Sequence, residues 1–208
     1  MKSIVFLFVL FCIPFISSDF AFALPVDIIL FKSSNDTIEN KKGNREVPEI
    51  KFDNSKLAPV NVRNIFNELF KQYLTVKDAL AYNDAEGAKR NTLTLLDQMR
   101  SKLKDIELLN KDARWLLFLH NYESIYSKVE AADFISDQRF LFGEINTGLQ
   151  EFIKYYGLYN KTIYLFQCSN AGKNINGTWL SDKEDKKNPY LGSINDTSCT
   201  KVKESWVF

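Results

Sequence analysis

The sequence predicts a mainly α-helical protein, an up-down-up-down four-helix bundle with a small irregular or β C-terminal cap. Three observations lead to this prediction. From about residue 59 to residue 158, apolar residues recur every three or four positions, which is the spacing of one face of an α-helix. Turn-forming residues divide this region into four stretches of about 20 residues, the length typical of helices in such bundles. After residue 158 the helical spacing stops, and β-branched, aromatic and turn-forming residues follow.

Residues 1–23 have the pattern of a secretory signal peptide. Lys2 precedes an apolar run from Ile4 to Ile16, and Ala21-Phe22-Ala23 provides small residues for cleavage near Ala23. The run is too short to cross a hydrocarbon core of about 30 Å as a helix, and no later stretch is longer and equally apolar. We therefore expect an exported protein, periplasmic or secreted, that is not integral to the membrane.

Residues 24–56 are predicted to form a flexible N-terminal arm. The stretch from Ser33 to Arg45 is polar and charged, with Ile38 as its one aliphatic residue. Such a segment buries too little apolar surface to offset the entropy lost on ordering. The folded domain is therefore expected to span residues 57–208, with its cap at residues 159–208.

The first two predicted helices are separated by Asn83-Asp84, a pair that ends one helix and offers an N-cap to the next. Each helix carries an apolar stripe that we expect to face the core. The stripe of the first helix is Val62, Ile65, Phe66, Leu69, Phe70, Tyr73, Val76 and Leu80, and that of the second is Ala88, Leu95, Leu96, Met99, Leu103 and Ile106.

The third predicted helix begins near Asn110, and the fourth begins near Ser136 and stops at Gly157, which suits a C-cap. Their stripes are rich in aromatic residues, which we interpret as core rather than as a cofactor site. The stripe of the third helix is Trp115, Phe118, Tyr122, Ile125 and Val129, and that of the fourth is Phe142, Ile145, Leu149, Phe152 and Tyr156.

The cap begins with Thr162–Phe166, a β-branched and aromatic run that predicts a short strand. Turn-forming residues then surround a few apolar anchors, among them Trp179, Leu180 and Tyr190. The final segment, Lys201–Phe208, is predicted to pair with the first strand and to place Trp206 against the bundle.

Composition excludes several functional classes. The formal net charge is +1, which provides no electrostatic basis for binding nucleic acid. The one histidine, His120, lies opposite the apolar stripe of its helix and is expected at the surface. The sequence contains no Glu-x-x-His pair on the bundle helices, no Gly-x-Ser-x-Gly and no phosphate-binding glycine loop. We therefore predict a protein without catalytic residues.

The C-terminal region carries a series of ordered motifs. They are Cys168-Ser169-Asn170-Ala171, Trp179-Leu180-Ser181, Asn188-Pro189-Tyr190-Leu191-Gly192 and Cys199. In these motifs the chain resembles domain of unknown function 3347, a family of bacterial exported domains common in Bacteroidetes. The family pattern is Cys-Pro-Met-Ala, Trp-Leu-Ser, Asn-Pro-Tyr-Phe-Gly and Met-Leu-x-Cys-Gly. The resemblance covers about residues 60–203, and it marks Ala171, Trp179, Leu180, Ser181, Asn188, Pro189, Tyr190 and Gly192 as motif residues.

Members of this family also occur fused to periplasmic adaptor subunits of heavy-metal efflux pumps. The resemblance therefore implies an accessory or binding module in envelope copper homeostasis, with an envelope or efflux-system protein as partner. Cys168 and Cys199 would then be ligands of Cu(I), a metal that favours thiolates and thioethers. The chain departs from the family pattern, because Asn170 occupies one methionine position and Asn195–Ser198 replaces the other methionine-bearing segment.

Two alternatives therefore remain for Cys168 and Cys199, a metal site and a disulfide. Export to an oxidising compartment favours the disulfide. If the cysteines form a disulfide, the rival function is a structural or protein-interaction domain that binds no metal. In that case we expect the tryptophan and tyrosine of the cap, Trp179 and Tyr190, to dock the partner.

Overall fold

The computed structural model describes residues 47–169, 177–192 and 198–208, and these residues form a helical bundle capped by a small sheet. The helices are α1 (Val60–Ala81), α2 (Ala85–Leu103), α3 (Ala113–Ala131) and α4 (Ile135–Tyr156). The strands are β1 (Glu49–Lys51), β2 (Thr162–Cys168), β3 (Gly177–Ser181) and β4 (Thr200–Val207). The predicted fold class is confirmed.

Short polar residues end and begin the helices much as predicted. Asn83 adopts a positive φ of 58° after α1, and the Asp84 carboxylate accepts a hydrogen bond of 2.9 Å from the Gly87 N–H to cap α2. Helix α2 ends at Leu103, so the prediction that Ile106 belongs to its stripe is wrong. Ile106 instead precedes a 3-10 turn at Glu107–Leu109 and packs partly buried against the core.

The sheet has the strand order β1-β4-β2-β3. Strand β2 pairs antiparallel with β4, and Ile163 lies opposite Trp206 in that register. The predicted pairing of the last segment with the first extended one is therefore confirmed. Strand β3 pairs antiparallel with β2. For this region the sequence predicted apolar residues between turns and no strand.

The predicted arm, residues 24–56, does not extend to residue 56. Residues Glu49–Lys51 pair in parallel with β4, and the Phe52 N–H donates a hydrogen bond of 2.9 Å to the Val207 carbonyl. The Phe52 ring also stacks on Phe208, with centroids 4.4 Å apart. The composition of residues 33–45 could not reveal this pairing, because the partner strand lies at the other end of the chain. The rest of the arm and the predicted signal peptide lie outside the described residues.

The predicted apolar stripes form one continuous core. Phe66 of α1 stacks on Tyr156 of α4 with centroids 5.3 Å apart, and the stripes of α1, α2 and α4 are largely buried. Helix α3 buries Trp115, Tyr122 and Val129, whereas His120 is exposed as predicted. Within the described residues, no helix has the length and apolar character needed to cross a membrane.

Gly157 follows the last residue of α4 in a backbone conformation that makes its replacement costly. Gly157 has φ 82° and ψ 167°, a region that only glycine adopts readily, and a Cβ there would lie 2.6 Å from Leu57 Cδ1. Gly157→Ala is therefore expected to lower the free energy of unfolding by roughly 1–3 kcal/mol in urea titrations followed by circular dichroism.

Gly148→Ala is the matched control, because Gly148 lies inside α4 and a Cβ there meets no atom within 4 Å. Alanine is the better helix former, so this change is expected to raise the free energy of unfolding by roughly 0.5–1 kcal/mol. Equal effects of the two substitutions would contradict the role assigned to Gly157.

Candidate functional site

The two candidate ligand residues, Cys168 and Cys199, form a disulfide. Cys168 ends β2 and Cys199 immediately precedes β4, so the bond joins neighbouring strands whose register pairs Cys168 with Thr200. Their Cα atoms are 4.8 Å apart, and the bond closes a loop with a sequence separation of 31 residues. On the chain-entropy model a loop of this size stabilises the fold by roughly 3–4 kcal/mol.

The disulfide bears directly on the predicted copper site. A metal binds the thiolate form of cysteine, and in this bond both sulfurs are already covalently engaged. Met99, the one methionine of residues 24–208, is buried in α2 within the bundle core. No cluster of three His, Cys, Asp or Glu side chains suited to a metal occurs in the described part of the chain. In the oxidised protein the residues present do not fit a Cu(I) site. Asn170 and the motif residue Ala171 lie outside the described residues.

The motif residues Trp179 and Leu180 are positioned by β3 inside the core. Trp179 is fully buried, and its ring stacks on Phe166 of β2 at 5.5 Å and meets Tyr190 edge-on at 6.1 Å. Tyr190 is also buried. The expectation that Trp179 and Tyr190 dock a partner is therefore wrong, because the bundle and the sheet already cover both rings.

The free edge of β3 is hydrogen-bonded by side chains of the bundle. The Leu180 N–H donates to the Tyr73 hydroxyl at 3.0 Å, and that hydroxyl donates to Asn146 Oδ1 at 2.7 Å. Asn146 Nδ2 in turn donates to the Thr178 carbonyl at 2.7 Å, and the Tyr190 hydroxyl donates to the same carbonyl at 3.0 Å. These bonds satisfy backbone groups that β2 does not reach.

Burial also sets the ionisation of this network. Burial raises the pKa of Tyr73 well above its usual value, although the hydrogen bond from the Leu180 backbone opposes the shift. The pKa of Tyr190 is raised by burial as well. Both phenols therefore keep their protons at physiological pH and remain hydrogen-bond donors.

Asn188, the first residue of the Asn-Pro-Tyr motif, organises the turn before β4. Its side chain is buried, and its Oδ1 accepts a hydrogen bond of 2.9 Å from the Tyr190 N–H. Its Nδ2 lies 3.4 Å from Thr200 Oγ1 and 3.5 Å from Cys199 Sγ. The asparagine therefore links the turn to the strand that follows the disulfide.

Arg139 of α4 connects the same turn to the end of α1. Its Nε donates to the Pro189 carbonyl at 2.9 Å, and its Nη2 donates to the Leu80 carbonyl at 3.0 Å and to Asn83 Oδ1 at 2.6 Å. Gly192 lies against this cluster with φ 64°, and a Cβ there would lie 2.2 Å from Arg139 Nη2. Glycine suits this position, because a φ of 64° is unfavourable for most residues that carry a Cβ.

Ser181, the last of the Trp-Leu-Ser residues, lies near a buried lysine that the sequence analysis did not single out. The Ser181 hydroxyl donates to Asp185 Oδ1 at 3.1 Å, and the same oxygen lies 3.5 Å from Lys77 Nζ. Lys77 is only 2% exposed and also pairs with Asp78 at 2.9 Å. These ion pairs provide the partners that a buried ammonium requires.

The side chains of Tyr73, Lys77, Arg139 and Asn146, together with the cap groups that they contact, form the cap junction. Sequence reasoning missed several of its residues, chiefly Asn146, Arg139 and Lys77. A signal for two of them was present. Asn146 lies within the apolar stripe of the fourth helix, four residues after Phe142, and Lys77 lies between Tyr73 and Leu80 on the stripe of the first. A polar residue within an apolar stripe indicates a buried hydrogen-bond partner.

The family model described as "Protein of unknown function (DUF3347)" matches residues 69–161. The match runs from within α1 to the loop after α4 and confirms the family resemblance for this region. Both cysteines and the cap motifs lie outside the matched residues. Neither curated proteins nor solved structures give a match to this chain.

Replacing Tyr73 tests whether the network at the edge of β3 stabilises the junction. Tyr73→Phe removes the partner of the buried Leu180 N–H and of Asn146 Oδ1, so we expect the free energy of unfolding to fall by roughly 1–3 kcal/mol in urea titrations.

Tyr159→Phe is the control for this substitution. Tyr159 is 43% exposed, and its ring keeps its contact with Arg63 when the hydroxyl is removed. A surface change of this kind is expected to stay within about 0.5 kcal/mol. If Tyr73→Phe were equally neutral, the buried hydroxyl would not be a stabilising link.

Proposed function

We propose that this chain with its DUF3347 region is an exported, non-enzymatic structural or protein-interaction domain whose two cysteines form a disulfide and bind no metal. The observation that carries the proposal is the bond between Cys168 at the end of β2 and Cys199 just before β4. Disulfides persist in oxidising compartments such as the periplasm, to which the predicted signal peptide of residues 1–23 would direct the protein.

The position of the disulfide supports a structural role. The bond encloses β3 and the Asn188–Gly192 turn, two segments through which the cap contacts the bundle. Opening it would remove the closed loop around β3 and raise the entropy of the unfolded chain. The bond and the network around Tyr73 therefore stabilise the same junction.

The surroundings of the polar residues in the cap junction support a non-enzymatic role. Tyr73, Asn146, Asn188 and Tyr190 are all buried, and each forms hydrogen bonds with other groups of the protein. Polar groups that are buried and satisfied by one another are typical of structural networks, which specify how elements pack. A catalytic group instead has to reach a substrate.

The rival proposal, a copper-linked accessory module, requires both cysteines as free thiols. A thiol count separates the two. We expect the purified protein to show no free thiol from Cys168 and Cys199 under denaturing, non-reducing conditions, and to gain the mass of two hydrogen atoms on reduction. The oxidised protein is expected to retain no Cu(I) in the presence of a Cu(I) chelator. Two free thiols that Cu(I) protects from alkylation would refute the disulfide proposal and support the copper-linked role.

Removing the bond tests its structural contribution separately. The double variant Cys168→Ala/Cys199→Ala is expected to lose roughly 2–5 kcal/mol of unfolding free energy relative to the oxidised protein. A reducing agent should lower the stability of the wild-type chain and leave that of the double variant unchanged. If reduction left the wild-type stability unchanged, the disulfide would not be the element that stabilises the cap.

A further inference from the structure

A groove lies on the surface near both ends of the folded domain, away from the disulfide. Its volume is about 470 Å³, and its walls are residues 51–53 and 56–59, Leu108 of the 3-10 turn before α3, and residues 154–156 at the end of α4. This volume falls within the range of small-molecule sites in proteins. Within the described part of the chain, neither a C-terminal motif residue nor a residue of the cap junction lines it.

The walls of the groove are held by contacts that do not require a ligand. The Phe52 N–H donates to the Val207 carbonyl at 2.9 Å, and the Ala58 N–H donates to the Tyr156 carbonyl at 3.0 Å. On the opposite wall the Arg114 guanidinium lies 3.6 Å from the centroid of the Tyr155 ring. A ligand would therefore meet a largely preformed surface, which reduces the entropy lost on binding.

Apolar side chains in the groove are open to solvent. Leu108 is 50% exposed and Tyr155 is 56% exposed, and the neighbouring Phe52 and Leu57 are half-buried. Covering these side chains with an apolar ligand group would remove apolar surface from water, which favours binding.

The charged side chains of the groove are mainly cationic. Lys51, Lys56 and Lys154 line it, and among the described residues Asp53 is the one acidic residue that does so. Lys51 pairs with Glu49 at 3.2 Å and Lys56 pairs with Asp53 at 3.6 Å, but all four side chains are at least half exposed. Ion pairs between exposed groups are weak, so an incoming anion can compete for these ammonium groups.

We propose that this groove binds an amphiphilic anion, a molecule with one carboxylate or phosphate head and an apolar tail. The tail lies along Leu57, Leu108 and Tyr155, and the head remains in water beside the lysines. An ammonium head on the same tail is disfavoured by the three cations. An anion without a tail gains only weak, solvent-screened contacts. This inference goes beyond the proposed function and does not depend on the state of the cysteines.

The test is calorimetric titration of the purified, oxidised protein with dodecanoate below its micelle concentration. Dodecyl phosphate tests the second kind of head, dodecyltrimethylammonium keeps the tail with a cationic head, and acetate keeps the head without the tail. We expect saturable binding of dodecanoate or dodecyl phosphate at one site, binding of dodecyltrimethylammonium weaker by roughly tenfold, and no detectable binding of acetate. The head that binds more tightly identifies the preferred chemistry.

Two groove variants and two controls locate the site. Leu108→Asn and Lys56→Glu, both at exposed side chains, are expected to weaken dodecanoate binding by roughly five- to tenfold. Leu116→Asn and Lys128→Glu change exposed residues of α3 that do not line the groove, so they should leave the affinity unchanged. Circular dichroism and thermal unfolding confirm that each variant is folded.

Three results would overturn the proposal. The first is that neither anionic amphiphile binds, or that the cationic amphiphile binds equally well. The second is that the groove variants bind like the wild-type protein. The third is that the protein binds phosphatidylglycerol vesicles but neither monomeric amphiphile, which would assign the cationic surface to a membrane instead.

Discussion

The N–H of Leu180 and the carbonyl of Thr178 lie on the side of β3 that β2 does not pair with. Left unpaired inside the protein, each would cost free energy comparable to a lost hydrogen bond. Tyr73 of α1 and Asn146 of α4 satisfy both groups, so the bundle completes the sheet at this edge. Because hydrogen bonds are directional, these bonds determine where β3 lies against α1 and α4. The position of β3 in turn sets that of β2, which pairs with it, and of β4, which pairs with β2.

The cap motifs have a structural role in this arrangement. Trp179 fills the space between β2 and Tyr190, while Asn188 and Gly192 shape the turn that Arg139 ties to α1 and α4. The disulfide closes the loop that contains these segments. The motif residues of the cap therefore join the sheet to the helical bundle. A binding surface has to be sought elsewhere on the molecule.

The groove beside α4 exists because both ends of the domain meet there. Strand β1 pairs with β4, and Phe52 stacks on Phe208, which brings Lys51 and Lys56 opposite Leu108 and Lys154. Residues far apart in the sequence thus form one surface that is lined by both apolar and cationic side chains. Its composition differs from that of the cap junction, where Tyr73, Asn146 and Asn188 are buried and hydrogen-bonded within the protein.

The sequence by itself determined the four helices, the break at Asn83-Asp84, the end of α4 at Gly157 and the pairing of the first and last segments of the cap. Helical periodicity and capping are properties of neighbouring residues, so they can be read locally. Only the tertiary structure decided that Trp179 and Tyr190 are buried, that residues 49–51 form a strand, and that the two cysteines are bonded. The Tyr73 hydroxyl bonds to groups 73 and 107 residues away, and such partners are brought together by folding alone.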